Sequence, residues 1–201
     1  MTVTWFRAPA PGSTDDPGTL NACYNALDIH VIRGRADELA LVGGGVQHSY
    51  ARLLTDVGAF AGVLRAFGTG PGDEVLSSGL AGVDDVVIQL AVARLGAVLV
   101  DEESATEPTV AVHGTAPATA ASDDRVIITI DTSTELDKAT LMRAGSTDPA
   151  GCADVPGDQP LRIVAGERVA LAAHLVALFD GSVDDPVFGP LVTGWAVDLG
   201  A

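Results

Sequence analysis

The chain has 201 residues, 47% of them hydrophobic and 19% charged, with a formal charge of −16 from 27 acids against 11 bases. That apolar content excludes a disordered chain, because enough side chains are present to bury a core. The acidic balance, with Lys138 the sole lysine, argues against nucleic acid and anionic membranes as partners, since phosphate binding needs clustered Lys and Arg.

The length suits one domain, or one domain with a loose tail. No apolar run is long enough to span a bilayer. Met1 to Phe6 lacks the basic start and apolar stretch of a secretory signal. Cys23 and Cys152 are too few for a disulfide framework, so the expectation is a cytoplasmic protein with two ordinary thiols.

Residues 1–19 carry Pro9, Pro11, Gly12, Pro17 and Gly18 and read as an irregular arm; residues 20–201 read as a single α/β domain. Leu20, Cys23, Tyr24, Leu27 and Val31 recur at steps of three and four, which predicts one helix over 20–33. His30 would end that helix, where its dipole favours positive charge. Glu38 to Val42, the triplet Gly43-Gly44-Gly45 and Val46 to His48 predict a hairpin. Ser49 is a suitable N-cap for a helix carrying Leu53, Leu54, Val57, Phe60, Ala61 and Leu64 and ending near Gly68.

Glu74 to Ser77 predicts a strand, Val83 to Leu95 a helix and Ala97 to Val100 the next strand. Strand, helix and strand of these lengths make a right-handed crossover in a parallel sheet. Thr109 to Val112 and Arg125 to Ile130 read as further buried strands, with Ala116 to Asp124 a short helix or a loop between them. Thr134 to Arg143 predicts a helix, Gly145 to Pro160 a loop and Glu167 to Phe179 a helix. Residues 181–201 hold too many turn formers for an assignment.

Several of these segments carry a resemblance. Asn21, Tyr24, Asn25, Leu27, Asp28 and His30 stand in an Asn-x-x-Tyr-Asn-x-Leu-Asp-x-His pattern. Then come Gly34-Arg35-Ala36-Asp37, Ser49-Tyr50, Gly70-Pro71-Gly72-Asp73 and Ala93-Arg94-Leu95-Gly96-Ala97. In that order and spacing the block resembles the start of acetyl-CoA and propionyl-CoA synthetases, members of the adenylate-forming (AMP-binding) superfamily. The match covers residues 20–100 and continues faintly over 125–143. It implies a three-layer α/β sandwich with a mostly parallel sheet, like the first subdomain of those enzymes.

The departures shape the functional expectation. After Val100 the family has a Gly-Gly-Phe-Ser-type loop with arginines near coenzyme A. Here the chain reads Asp101-Glu102-Glu103-Ser104. Three acids oppose an anionic cofactor by ~1 kcal/mol for each exposed close contact. The family also cradles ATP phosphates with a Ser/Thr/Gly-rich stretch that carries a lysine. No such stretch occurs in these residues, and no cofactor is expected.

Other candidates are outweighed by structural readings. Gly43-Gly44-Gly45 opens into Val46 rather than a helix, so it is a turn and not a dinucleotide fingerprint. His30, His48, His113 and His174 form no metal-ligand pair, so no metal is expected. Asp84-Asp85 reads as a solvated helix start, and Lys138 as part of an exposed helix face. Ser77, Ser78 and Asp101 fall at C-terminal strand ends, where open α/β sheets bind ligands. They are the candidate ligand-binding residues. A Ser-His-acid set with His113 lacks a Gly-x-Ser-x-Gly elbow, and no catalytic residue is assigned.

The expectation is therefore a non-catalytic, acyl-CoA synthetase-like protein serving as an interaction, regulatory or structural subunit in acyl-CoA metabolism. Its partner would be a second copy of itself or an acyl-CoA-metabolising enzyme, a synthetase or a carboxylase. The alternatives are a small-ligand (nucleotide or acyl-CoA) binding domain, and an enzyme of unrelated chemistry on the same scaffold.

Overall fold

The computed structural model describes residues 2–12, 15–106, 108–115, 126–130 and 138–200. Among these, β4 (Glu74–Ser78), β5 (Val98–Val100), β6 (Val110–His113), β7 (Val126–Thr129) and β9 (Pro160–Val164) lie parallel in one sheet. β10 (Glu167–Ala170) joins β9 antiparallel, giving the order β10-β9-β5-β4-β6-β7. The α/β class and the mostly parallel sheet agree with expectation. No described helix is long and apolar enough to cross a membrane.

β4 leads through α3 (Gly82–Leu95) into β5, and Gly96 closes the helix with φ of 68°, a left-handed value that suits glycine. α3 buries nearly every residue from Val86 to Leu95, wedged between β5 and α2 (Tyr50–Ala66). Ser49 caps α2 as predicted, its Oγ accepting from Arg52 N at 3.3 Å. Tyr50, Leu53, Phe60 and Leu64 of α2 enter the main core with Val75, Val110 and Ile128 from one sheet face. Leu76, Val98, Val100 and Ala111, on the alternate pleats, form a smaller cluster.

β2 (Leu39–Gly43) and β3 (Val46–Ser49) form the predicted hairpin, turning at Gly44 and Gly45. Both turn glycines have positive φ, as a two-residue turn matched to strand twist requires. β11 (Val197–Asp198) lies parallel to β2 and makes a three-stranded sheet, an assignment the sequence did not reach. α6 (Phe188–Thr193) lies in the same segment.

Three boundaries differ from expectation. The predicted helix over 20–33 starts later: Leu20 belongs to β1 (Thr19–Leu20), paired with β8 (Val155–Pro156). It then passes through a π-helix, Tyr24–Asp28, before α1 (Ile29–Ile32). At the widened turn Asn25 Nδ2 donates to Asn21 O at 2.9 Å and to Thr4 O at 3.0 Å, so a side chain enters the backbone ladder.

The predicted helix from Glu167 begins only at α5 (Leu171–Asp180), because Glu167 to Ala170 pair with β9. Cross-strand pairing outweighs local helical periodicity there. The helix placed at 134–143 is described from Lys138, its fifth predicted residue, onward as α4 (Lys138–Thr147); residues 134–137 lie outside the described set, as do 116–125. α4 therefore runs through Gly145, where a loop was expected.

Gly145 stays helical because of packing. A Cβ there would sit 2.0 Å from Ala59 O of α2, and one at Gly62 would sit 2.5 Å from Asp148 O. The two helices meet backbone to backbone. Gly145→Ala should gain about 1 kcal/mol of helix propensity. It should lose about 1–3 kcal/mol to overpacking, and the carbonyl it strikes is fixed inside a helix. We expect net destabilisation, read as a lower urea midpoint; an unchanged or higher midpoint would show that α4 moves freely.

Candidate functional site

Ser77, Ser78 and Asp101 do lie at the C-terminal edge of the sheet, but they do not share one surface. Successive strand residues face opposite ways. Ser77 shares the pleat side of Val75 and Val112, toward the helices. Ser78 is on the other side, opposite His113 in register, and its hydroxyl donates to Glu102 Oε1 at 2.6 Å. Asp101 is turned to a third purpose. Its Oδ1 accepts from Ser104 N at 2.8 Å and its Oδ2 from Ala165 N at 2.9 Å. Ser104 Oγ accepts from Gly166 N at 2.9 Å.

These bonds close the β9–β10 hairpin. Ala165 and Gly166 form its turn, with φ of 49° and 78°. Hydrogen bonds, first from Ser104 and then from the Ala165 amide, hold the Asp101 carboxyl below the usual carboxylate range. Both turn amides thus bind groups of this same chain at the sheet edge where an anionic ligand would approach.

A denser polar centre lies in the interior at the far end of α3, toward the opposite edge of the sheet. Arg94, at the end of α3, is 8% exposed. Its Nη1 and Nη2 donate to Asp28 at 2.8 and 3.2 Å, and its Nε donates to Ala150 O at 2.7 Å. Nη1 also faces Cys152 Sγ at 3.1 Å and Cys23 Sγ at 3.5 Å. Asn21, fully buried, sends Nδ2 to the carbonyls of Ala93, Arg94 and Ala153, and its Oδ1 accepts from Tyr24 N. This centre joins the first helical segment, the end of α3 and the 148–154 segment.

Two further buried groups tie down the segment around α6. His30 does not meet a helix dipole as a cation. It is fully buried, with Nε2 2.7 Å from Leu191 O and Nδ1 3.1 Å from Arg35 Nη1. The arginine can only donate, so Nε2 carries the proton and donates to Leu191. Burial pushes the His30 pKa down, although the Leu191 carbonyl opposes that shift. The unfolded chain then takes up a proton that the folded one refuses. Stability is fully present above about pH 6.5 and is lost as pH falls through that value toward the folded pKa. We expect the wild-type urea midpoint to drop between about pH 7.5 and 5.5, and His30→Gln to flatten that drop. Parallel curves for both proteins would refute the assignment.

Asp185 is the second. It is 1% exposed, ion-paired with Arg162, and accepts from His174 Nε2 at 2.9 Å and from Val187 N and Phe188 N. These partners outweigh desolvation and hold its carboxyl low. It anchors the entry to α6 rather than a site.

A half-open cavity of about 220 Å³ lies between α2, α3 and α4. Lys138, read from sequence as exposed, pairs with Asp84 at its mouth, and Arg52 pairs with Asp56 at 2.9 Å. Asp85 is not simply solvated: it accepts from Gln89 Nε2 at 3.0 Å, and burial raises its pKa. The cavity cations are each matched to an acid.

The mostly parallel sheet with its strand-helix-strand crossover is the class of fold expected of the first subdomain of an adenylate-forming enzyme. The family described as AMP-binding enzyme matches residues 29–172, more than half of the chain, and the chain belongs to it. An acetyl-coenzyme A synthetase of Burkholderia thailandensis is 39% identical over 87 residues, covering 41% of this chain and 13% of that protein. The acetyl-coenzyme A synthetase of Burkholderia mallei is 38% identical over 87 residues, with the same coverage. An uncharacterized protein of Pseudomonas aeruginosa is 37% identical over 111 residues, 48% of this chain and 18% of that one. The chain therefore spans less than a fifth of the length of these relatives.

Proposed function

We propose that this polypeptide is an acyl-CoA synthetase-like module that does not adenylate, and that it serves as an interaction or regulatory subunit in cytoplasmic acyl-CoA metabolism. One observation carries the reading. A triphosphate cradle needs successive backbone N–H groups open to the ligand, with a cation beside them. Among the described residues, the β9–β10 turn at the C-terminal sheet edge has two residues, and both its amides are bound by Asp101 and Ser104. The only lysine, Lys138, is paired with Asp84.

Exposed Trp195 and Ile32, 73% and 67% accessible, are apolar side chains that a second copy or a metabolic partner would cover. The test uses the purified chain with ATP, Mg²⁺ and a short carboxylic acid. We expect no pyrophosphate release and no calorimetric ATP binding at micromolar concentration. Pyrophosphate release would overturn the reading. Micromolar ATP binding without release would favour a ligand-binding domain instead.

A further inference from the structure

Cys23 and Cys152 lie far apart in sequence, yet the fold brings them together. Their sulfurs and an Asp28 carboxylate oxygen all fall within 4.8 Å of one another. Cys23 is fully buried, while Cys152 is half-buried in the 148–154 segment. An open cavity of about 410 Å³ is lined by Arg94, which faces both sulfurs, and by Ala150 and Gly151, which precede Cys152 in the chain. Arg94 holds positive charge against both sulfurs, and the Cys152 thiol points at Asp28 Oδ2 at 3.5 Å. A cation and a proton acceptor beside a half-buried thiol supply what thiolate chemistry requires.

We infer that Cys23 and Cys152 form a redox pair that hydrogen peroxide, or another small hydroperoxide, converts to an intrachain disulfide. Cys152 gives its proton to Asp28 and its sulfur attacks the peroxide. An S–O bond forms, the O–O bond breaks, and one water leaves with that proton. Cys23 sulfur then attacks the sulfenic acid. The S–S bond forms, the S–O bond breaks, and the Cys23 proton leaves in a second water. The two thiols lose two electrons in total, and the peroxide gains them.

The hydrogen bond with Cys23, and then burial, push the Cys152 pKa up. The resting Cys152 thiol is therefore protonated and slow, suited to sustained oxidant rather than turnover. A divalent metal on the same three ligands is disfavoured, because it would have to displace the buried Arg94 guanidinium.

The test treats the folded, full chain with about 1 mM hydrogen peroxide, then alkylates free thiols under denaturing conditions and maps peptides without reduction. A Cys23–Cys152 cross-linked peptide that a dithiol reductant reverses is the expected result. Cys152→Ser, whose thermal unfolding is checked against wild type, should leave Cys23 alkylatable. The oxidised wild type should also melt higher by about 5 °C or more, since the new link closes a long loop. Three results would overturn the inference: both thiols still alkylated after peroxide, sulfinic acid at Cys152 without cross-link, or one equivalent of zinc in the purified protein shielding both thiols.

Discussion

Replacing Arg94 by Met should lower the folding free energy by about 3–5 kcal/mol, the range for breaking one side of a buried ion pair. Met keeps the apolar stem and removes the charge. Asp28 and the Ala150 carbonyl then lose the groups that meet them at 2.8 and 2.7 Å. Asp28 is 18% exposed at its side chain, so water reaches it only in part. Against a typical total of 5–15 kcal/mol, such a loss leaves the chain near its unfolding threshold. Urea denaturation measures it, and the double variant with Asp28→Asn sharpens it. If the neutral Asn recovers part of the loss, the penalty came from the stranded carboxylate. A single-variant shift below about 1 kcal/mol would mean that the pair is solvated and not structural.

The second large effect falls on Asn21→Ala, at about 2–4 kcal/mol, since each buried group left unpaired costs about 1–3 kcal/mol. One amide serves three carbonyls, at 3.0, 3.1 and 3.0 Å, and its oxygen caps the start of the following helical segment through Tyr24 N. Alanine leaves all four without this partner and opens a small void. Asn21→Asp should be at least as damaging, because its oxygens repel the carbonyls that the amide donates to. Urea midpoints for the pair separate the two causes: a milder Asp variant would mean that volume, rather than donation, is what Asn21 supplies.

Both residues were visible before the structure, but for another reason. Asn21, Asp28 and His30, with Arg94 in its Ala-Arg-Leu-Gly-Ala setting, carried the family resemblance. Their physical role lies in contacts across 72 or 66 positions of chain, which no local pattern encodes. Periodicity worked where burial follows from local spacing. Ser49 with Leu53, Val57 and Phe60 marked α2 well, and the Gly44-Gly45 turn marked its hairpin.

It failed where a distant partner decides. Gly145 looks like a breaker until Ala59 O is seen against it, and Glu167 looks helical until β9 pairs with it. The candidate edge was located, but its chemistry was hidden. Asp101 was read as repelling an anion, whereas its carboxylate itself occupies an amide that an anion would need.

The union of β11 with β2 sets a timetable for biosynthesis. Val197 and Asp198 align with Leu41 and Val42, and Leu199 N donates to Val42 O at 2.7 Å. A nascent chain emerging at about 5–20 residues per second must wait on the order of ten seconds between those segments. During that interval one side of β2 offers bare amides and carbonyls to any passing strand. Faster translation, or a chaperone that shields the hairpin near the ribosome, should raise the yield of soluble protein without altering the finished fold.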